Sequence, residues 1–202
     1  MKKTKNNKRQ KESGFTLIEL LVAVSIFAVF ITFGASSLVD IIRQDQKVSV
    51  LRQTQENTRY ILETITREAR NANGELNSAG ERVSVAYKVD SGRLVIVNTD
   101  VLAGKVTKNE YFIPTGGNNL QIITSTKDIG ATSGWASGAA VILNNPADIK
   151  INEFTPEITT NPAPDPLLLI PPKLNITIKS QSTDKRNPTV VTLTTSVSPR
   201  NY

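Results

Sequence analysis

The first feature of the chain is a long, uninterrupted apolar segment near its start. Residues 15–39 read FTLIELLVAVSIFAVFITFGASSLV, and Glu19 is the single charged residue among these 25. Because about 20 apolar residues in a helix cross the hydrocarbon core of a bilayer, this segment is predicted to be a transmembrane helix. Its large apolar side chains are those of Phe15, Leu17, Ile18, Leu20, Leu21, Val22, Val24, Ile26, Phe27, Val29, Phe30, Ile31 and Phe33.

A helical pattern continues through residues 40–73, which contain neither proline nor glycine. Candidate core positions recur every three or four residues. They are Ile41, Gln44, Val48, Leu51, Gln55, Thr58, Leu62, Ile65, Ala69 and Ala72. Charged residues fill the other faces, with Arg59–Glu63 and Glu63–Arg67 spaced for ion pairs, and Gly74 is a plausible stop. We predict an amphipathic helix that packs on a following sheet; a coiled coil is the alternative.

After Gly74 the apolar period changes from 3.6 to 2, which is typical of strands. Residues 82–89 and 93–97 flank an Asp-Ser-Gly turn signal and predict a hairpin. Further strands are predicted at 109–113, 120–125, 139–144, 173–181 and 189–197, with a turn at 184–188 between the last two. A helix followed by successive strands favours an α+β fold, with an antiparallel sheet laid on the helix.

Residues 156–172 interrupt this alternation, because they hold six of the ten prolines together with a Leu-Leu-Leu-Ile run. We interpret them as a surface loop whose leucines pack back on the sheet. An exposed apolar contact for a neighbouring subunit is the alternative.

Composition removes most catalytic chemistry. The chain has no Cys and no His, so zinc sites and Ser-His-Asp or Cys-His nucleophiles are excluded. Four carboxylates could supply calcium ligands, but their spacing matches no known loop. They are Asp148, Glu153, Glu157 and Asp165. We predict no metal site, no cofactor and no enzymatic activity, and expect Trp135 to pack in the core rather than to serve as a ligand platform.

The net charge of +6 by itself suggests a nucleic-acid partner, but the distribution of the charges along the chain changes this interpretation. Residues 1–14 carry six basic residues and one acidic residue, whereas residues 15–202 carry 18 basic and 17 acidic residues. The positive-inside rule therefore places residues 1–14 in the cytoplasm and the rest across the membrane. Nucleic-acid binding is not favoured.

The junction of the basic and apolar segments carries a specific motif. The run Gly14-Phe15-Thr16-Leu17-Ile18-Glu19-Leu20-Leu21 resembles the processing motif of type IV prepilins and type II secretion pseudopilins. The resemblance implies that prepilin peptidase cuts between Gly14 and Phe15 and that Phe15 is then N-methylated. It also implies that Glu19 meets the N-terminal amine of a neighbouring subunit and sets its register. A plain signal anchor is the main alternative, and a secretory signal peptide with a weak cut site at Gly34-Ala35-Ser36 is the other.

Two weaker resemblances narrow the subtype. Residues 52–74, with their Gln- and Arg-rich helix, resemble minor subunits of the W and J types. The close at 194–201 is similar to the TSV-x-x-RN ending of many minor pilins.

The predicted organisation is a leader (1–14), a transmembrane half (15–39) and an amphipathic half (40–73) of one helix, and a β-rich domain (74–202). These features imply a minor pilin or pseudopilin of a type IV pilus or type II secretion pseudopilus. Before assembly it would be anchored in the inner membrane with a cytoplasmic N-terminus. Its partners would be the prepilin peptidase, other pilin or pseudopilin subunits, the bilayer and the inner-membrane assembly platform. A membrane-anchored β-domain binding protein and a DNA-uptake pilus subunit are the alternatives.

Overall fold

The computed structural model describes residues 14–159, 173–198 and 200. Residues 1–13 of the predicted leader, Asp165 and most of the predicted proline-rich loop lie outside the described residues. The chain divides into two compact units, Met1–Asp45 and Gln46–Tyr202. In the described part, one helix, α1 (Leu17–Asn71), accompanies nine strands.

Within the first unit, α1 carries the apolar segment. Every described residue from 14 to 45 is exposed. The helix is long and apolar enough to cross a membrane, with a mean hydropathy of 2.5 over its most apolar 18 residues. Length and composition alone support this statement, and they agree with the transmembrane helix predicted from the sequence.

Within the second unit, one face of α1 is buried. The buried side chains are Thr54, Thr58, Ile61, Leu62, Ile65 and Ala69. The predicted core stripe is confirmed from Thr58 onward, but it is wrong at Ile41, Gln44, Val48 and Gln55, which are exposed. The predicted spacing continued the stripe evenly, whereas the residues of the second unit bury α1 only from Thr54.

The end of α1 depends on a close backbone approach. The helix ends at Asn71, and Gly74 has a φ of +78°, a left-handed conformation that favours glycine. A Cβ at Gly74 would lie 2.4 Å from the carbonyl oxygen of Ser84. The amide of Arg200 donates to the carbonyl of Arg70 (2.9 Å), so the chain terminus satisfies one last-turn carbonyl.

The strands form two antiparallel sheets. The first contains β1 (Tyr87–Asp90), β2 (Arg93–Asp100), β3 (Lys105–Phe112), β4 (Gln121–Asp128), β5 (Ala136–Ser137) and β6 (Val141–Ile142). Its order is β1-β2-β3-β4, and both β5 and β6 pair with β4. The second sheet contains β7 (Ile149–Thr159), β8 (Lys173–Ser182) and β9 (Val190–Val197), in that order.

The predicted α+β fold, a long helix on antiparallel sheet, is confirmed. One core joins the helix to both sheets: Ile65, Leu94, Tyr111 and Ile176 are fully buried in the same cluster. The hairpin, the last two strands and their turn are also found close to their predicted positions.

Three strand predictions need correction. Residues 82–85 do not join the hairpin, because they fold back on the segment after α1, where the Val83 amide donates to the Glu75 carbonyl (2.8 Å). Ala86 continues the hairpin by one hydrogen bond, since its carbonyl accepts from the Val97 amide (2.8 Å). The predicted strand 139–144 shrinks to the two residues of β6. The long strand β7 was not predicted, and it extends four residues into the predicted loop 156–172. Pro156 is tolerated there because β7 is an edge strand and has a ladder partner on one side only.

Candidate processing and assembly site

The candidate site is the start of α1, where Thr16 and Glu19 form a reciprocal cap. The Glu19 amide donates to Oγ1 of Thr16 (3.3 Å), and the Thr16 amide donates to Oε2 of Glu19 (3.2 Å). Oγ1 of Thr16 also donates to the same Oε2 (3.1 Å). This is a capping box, which satisfies backbone donors that a helix start leaves without intrahelical partners. The carboxylate also complements the positive end of the helix dipole.

The cap gives Thr16 a role that the sequence reading missed. The processing motif gives Thr16 no structural role, although the spacing Thr-x-x-Glu before an apolar run is itself the signature of a capping box. The three hydrogen bonds of the cap use Oγ1 of Thr16 and Oε2 of Glu19. Because Oε1 of Glu19 takes no part in them, the carboxylate retains lone pairs that can accept a further hydrogen bond. Glu19 is thus held at the helix start with the capacity to accept another donor.

The peptide bond between Gly14 and Phe15 is accessible. Both residues precede the helix, and the Phe15 side chain is 87% exposed. A Cβ built on Gly14 would meet no described atom within 4 Å, and its backbone does not adopt the left-handed conformation that favours glycine. The fold of the chain therefore does not require glycine at this position, so a requirement for it would come from an enzyme that binds the segment.

The thirteen predicted membrane residues present one continuous exposed apolar surface. Their exposed fractions range from 50% at Val22 to 87% at Phe15. Glu19 lies in this surface and lines a shallow apolar groove with Phe15, Ile18 and Val22. A surface of this extent is typical of a segment that lipid or other helices cover.

The hydroxyl groups of this segment are satisfied within the helix. Ser25 donates to the carbonyl of Leu21 (2.8 Å), and Thr32 donates to the carbonyl of Ala28 (2.8 Å). Ser36 and Ser37 bond to carbonyls of the preceding turn in the same way. Such internal pairing lowers the cost of placing hydroxyl groups in apolar surroundings.

The carboxylates considered as calcium ligands do not form a cluster in the described residues. No group of three acidic side chains there could hold a metal ion. Asp148 accepts from the amide side chain of Asn145 (2.7 Å), and Glu153 accepts from the hydroxyl of Thr155 (3.2 Å). Glu157 lies exposed on β7.

Trp135 packs as the sequence suggested. It is half-buried against a small apolar cluster of Val95, Val97 and Val106. The ammonium groups of Lys108 and Lys127 lie 4.9 Å and 4.8 Å from its ring centre. The ring therefore packs against apolar and cationic side chains of its own chain.

The buried cation of this cluster is tied to the segment after α1. Lys127 is 5% exposed, and its Nζ lies 2.7 Å from Oε1 of Glu75 and 2.9 Å from the carbonyl oxygen of Ala131. Both residues 75 and 131 are thereby tied to the same ammonium group on β4. The pairing of Lys127 with Glu75 was not predicted, because 52 residues separate the two charges in the sequence.

The comparisons with known proteins bear on the start of the chain. The family described as a prokaryotic N-terminal methylation motif matches residues 9–35. No curated protein and no solved structure matches the chain. The matched residues include Gly14, Phe15 and Glu19 and most of the apolar segment 15–39. The match supports a precursor of the type IV pilin and pseudopilin class, which implies cleavage by prepilin peptidase and assembly with other pilins.

Proposed function

We propose that this chain is a minor pilin or pseudopilin, a structural subunit without enzymatic activity that polymerises through its N-terminal helix. The observation that carries the proposal is the exposed apolar surface of residues 15–39, which contains one charged residue, Glu19, in the cap of the helix. Glu19 lies four positions after Phe15, so the future N-terminal amine and the carboxylate belong to the same helix start. A filament core of packed helices would cover the apolar surface that the described residues leave exposed.

We propose that prepilin peptidase cuts the Gly14–Phe15 bond and methylates the new amine of Phe15. The accessible backbone before Leu17 supports this assignment, because a protease needs an extended segment rather than a helix. Before the cut, the six basic residues of the segment 1–14 keep the N-terminus of the membrane-anchored precursor in the cytoplasm. The β-rich domain lies on the other side, in the periplasm or outside the cell.

Glu19 is proposed to set register in the filament. Its carboxylate would accept a hydrogen bond from the Phe15 amine of a neighbouring subunit while Oε2 retains its contacts to Thr16. Inside an apolar core, such a pair neutralises two charges, and its main effect is to select one register among many. The Gln- and Arg-rich second half of α1 and the close at 194–201 support a minor subunit of the W or J type.

The processing step is tested by co-expression of the chain with a prepilin peptidase. We expect a mature chain that begins at Phe15 and carries one added methyl group, as measured by intact-mass and N-terminal sequencing. Gly14→Ala should block or slow the cut. Gly34→Ala is the matched control, since a Cβ there also meets no described atom within 4 Å. A mature N-terminus at another residue would refute the proposal and favour a plain anchor or a signal peptide.

The assembly step needs a variant that keeps the cap. Glu19→Gln retains the capping box, which accepts Glu or Gln, but it removes the charge. We expect normal cutting and strongly reduced incorporation into filaments, measured by the fraction of the subunit in sheared filaments. Thr16→Ala removes the cap and keeps the charge, so it should affect incorporation less. Normal incorporation of Glu19→Gln would refute the pairing role.

A further inference from the structure

The free edge of β9 is a second candidate interaction surface. We propose that it binds an extended, acidic peptide segment of another protein chain as an added strand. This inference goes beyond the processing and assembly of α1, and it rests on residues of the second unit alone.

The first argument is that β9 lacks the protection that the other described sheet edges have. β1 is four residues long and carries Lys88 and Asp90, and β5 and β6 are two residues each. β7 contains Pro156 and a register shift between Ile151 and Glu153. Short length, charge, proline and bulges are the devices by which proteins prevent edge-to-edge pairing.

By contrast, β9 reads VVTLTTSV. These eight residues include no charge and no proline, and the described pairing with β8 has no register shift. Valine, threonine and leucine on a regular strand form a good template for another strand. Among the described residues, the edge of β9 is therefore unprotected, whereas the other sheet edges are protected.

The second argument is the direction of the backbone groups. The Ser182 amide donates to the Thr189 carbonyl (2.9 Å), which places this pair among those that bond across the ladder. In an antiparallel ladder such pairs alternate with pairs whose N–H and C=O groups point away. From the observed register, the outward groups of β9 belong to Val190, Thr192, Thr194 and Ser196. Among the described residues these groups have no backbone partner.

The third argument is the groove that runs along this edge. It has a volume of about 500 Å³ and lies between α1 and the Leu193-Thr194-Thr195 segment of β9. Its other lining residues are Arg59, Leu62, Glu63, Thr66, Arg67 and Arg70. An extended peptide placed there would pair with β9 and lie beside α1.

The charges of the groove select an acidic occupant. Three arginines line it against one glutamate, and that glutamate is already paired, because Arg59 Nε lies 2.8 Å from Oε1 of Glu63. No ion pair joins Arg67 or Arg70 to another described side chain. Guanidinium groups bind carboxylates in a bidentate geometry, so acidic side chains on the α1-facing side of the added strand would complement them.

The test uses the full chain in detergent micelles and a fluorescent nine-residue peptide of alternating glutamate and valine. We expect saturable binding by fluorescence anisotropy and slower hydrogen exchange at the amides of Thr192, Thr194 and Ser196. A peptide with lysine in place of glutamate should bind at least tenfold more weakly. The acidic peptide methylated at every backbone amide should not bind, because it keeps its charges but cannot pair as a strand.

Variants of the chain test the same two requirements. Thr194→Pro removes one outward amide and should weaken binding about tenfold. Thr194→Ala is the matched control: it removes the hydroxyl that lies 3.0 Å from Oγ1 of Thr177 and keeps the amide, so it should bind normally. Arg67→Glu with Arg70→Glu should lose about tenfold for the acidic peptide and gain affinity for the lysine peptide.

Each contrary result overturns the proposal in a defined way. Equal binding of the methylated peptide would mean electrostatic attraction without strand addition. Equal binding of acidic and lysine peptides would remove the acidic specificity. Self-association of the chain that Thr194→Pro abolishes, without peptide binding, would identify a second copy as the occupant. None of these results depends on cleavage at Gly14.

Discussion

The two halves of α1 belong to one helix but differ in what surrounds them. Ile31, in the first half, is 53% exposed, whereas Ile65, in the second half, is fully buried. The first half is apolar on every face, and the second half has one buried stripe opposite charged residues. A helix that is apolar all round needs lipid or other helices, whereas an amphipathic helix can be buried by a sheet of its own chain. The chain therefore buries one face of the second half with its own sheets, whereas the first half needs lipid or other helices to cover its apolar surface.

Core truncation gives the largest expected effect. Ile65→Ala should lower the free energy of unfolding by about 2–5 kcal/mol, because it removes buried methyl groups and leaves a cavity. Ile31→Ala should change it by less than about 0.5 kcal/mol, since that side chain contacts no core. Urea unfolding in detergent, followed by the fluorescence of Trp135, measures both. Equal effects would contradict the division of the helix.

A matched pair of threonines sharpens the comparison. Thr58 and Thr32 both donate to the carbonyl four residues earlier, at 2.7 Å and 2.8 Å. Thr58 is also buried, with its Oγ1 2.6 Å from Oγ of Ser180 on β8. Thr58→Val should cost about 1–3 kcal/mol because it leaves the buried Ser180 hydroxyl poorly satisfied, whereas Thr32→Val should be nearly neutral for folding.

The same pair offers an internal check by a second substitution. Removing the Ser180 hydroxyl in the Thr58→Val background should recover part of the lost stability, since no orphaned group then remains. If Thr58→Val were as neutral as Thr32→Val, the hydroxyl contact would not contribute to holding α1 on the second sheet.

Alkaline pH tests the attachment of the second half to β3. The hydroxyl of Tyr111 donates to Oε2 of Glu68, which also accepts from Nδ2 of Asn109 (2.8 Å). Burial, and after it the contact with Glu68, raises the pKa of Tyr111 far above its usual range. The folded state therefore keeps the proton that the unfolded state loses near pH 10.

The sign of the pH effect follows from this difference. The stabilisation from Tyr111 is complete below about pH 10 and falls by about 1.4 kcal/mol per pH unit above it. Tyr111→Phe should remove this slope in unfolding experiments between pH 9 and 11. Tyr60→Phe, which changes an exposed tyrosine of the same helix, should leave the slope unchanged. An equal slope in the Tyr111→Phe variant would contradict the assignment.

The exposed ion pairs should show the smallest effects, whether or not the helix beside them is buried. Arg59–Glu63 (2.8 Å) lies where one face of α1 is buried, and Asp40–Arg43 (3.8 Å) lies where every described residue of α1 is exposed. Glu63→Gln and Asp40→Asn should each cost less than about 0.5 kcal/mol, because solvent and salt screen such pairs. Unfolding at low and high salt measures this. A cost above about 1 kcal/mol at Glu63 would mean that the groove beside β9 is less solvated than its exposure indicates.

The sequence predicted those features that depend on neighbours along the chain. The apolar run, the long helix, the α+β class and the last hairpin all follow from local period and turn residues. The predicted Arg59–Glu63 pair forms, whereas no ion pair joins the described residues Glu63 and Arg67. Arg59 and Arg67 are both four positions from Glu63, so the spacing along the helix does not decide which arginine pairs with the carboxylate.

Features that depend on distant residues were missed. Thr54 and Ile61 are buried, and Gln55 is not, because the position of the sheets rather than the helical period alone decides which face is covered. The strand β7 was not predicted because it contains a proline, and a proline is compatible with a strand only at the edge of a sheet. Nothing local could have shown that β7 would lie at an edge.

The sequence by itself determined the processing motif, the topology signal and the apolar first half of α1. These are linear properties, since a peptidase and a bilayer act on consecutive residues. Only the tertiary structure decided which part of α1 is covered, which carboxylates Tyr111 and Lys127 contact, and which sheet edge is left unprotected among the described residues. Those outcomes depend on contacts between residues far apart in the chain, and such contacts exist only when the sheets have packed on the helix.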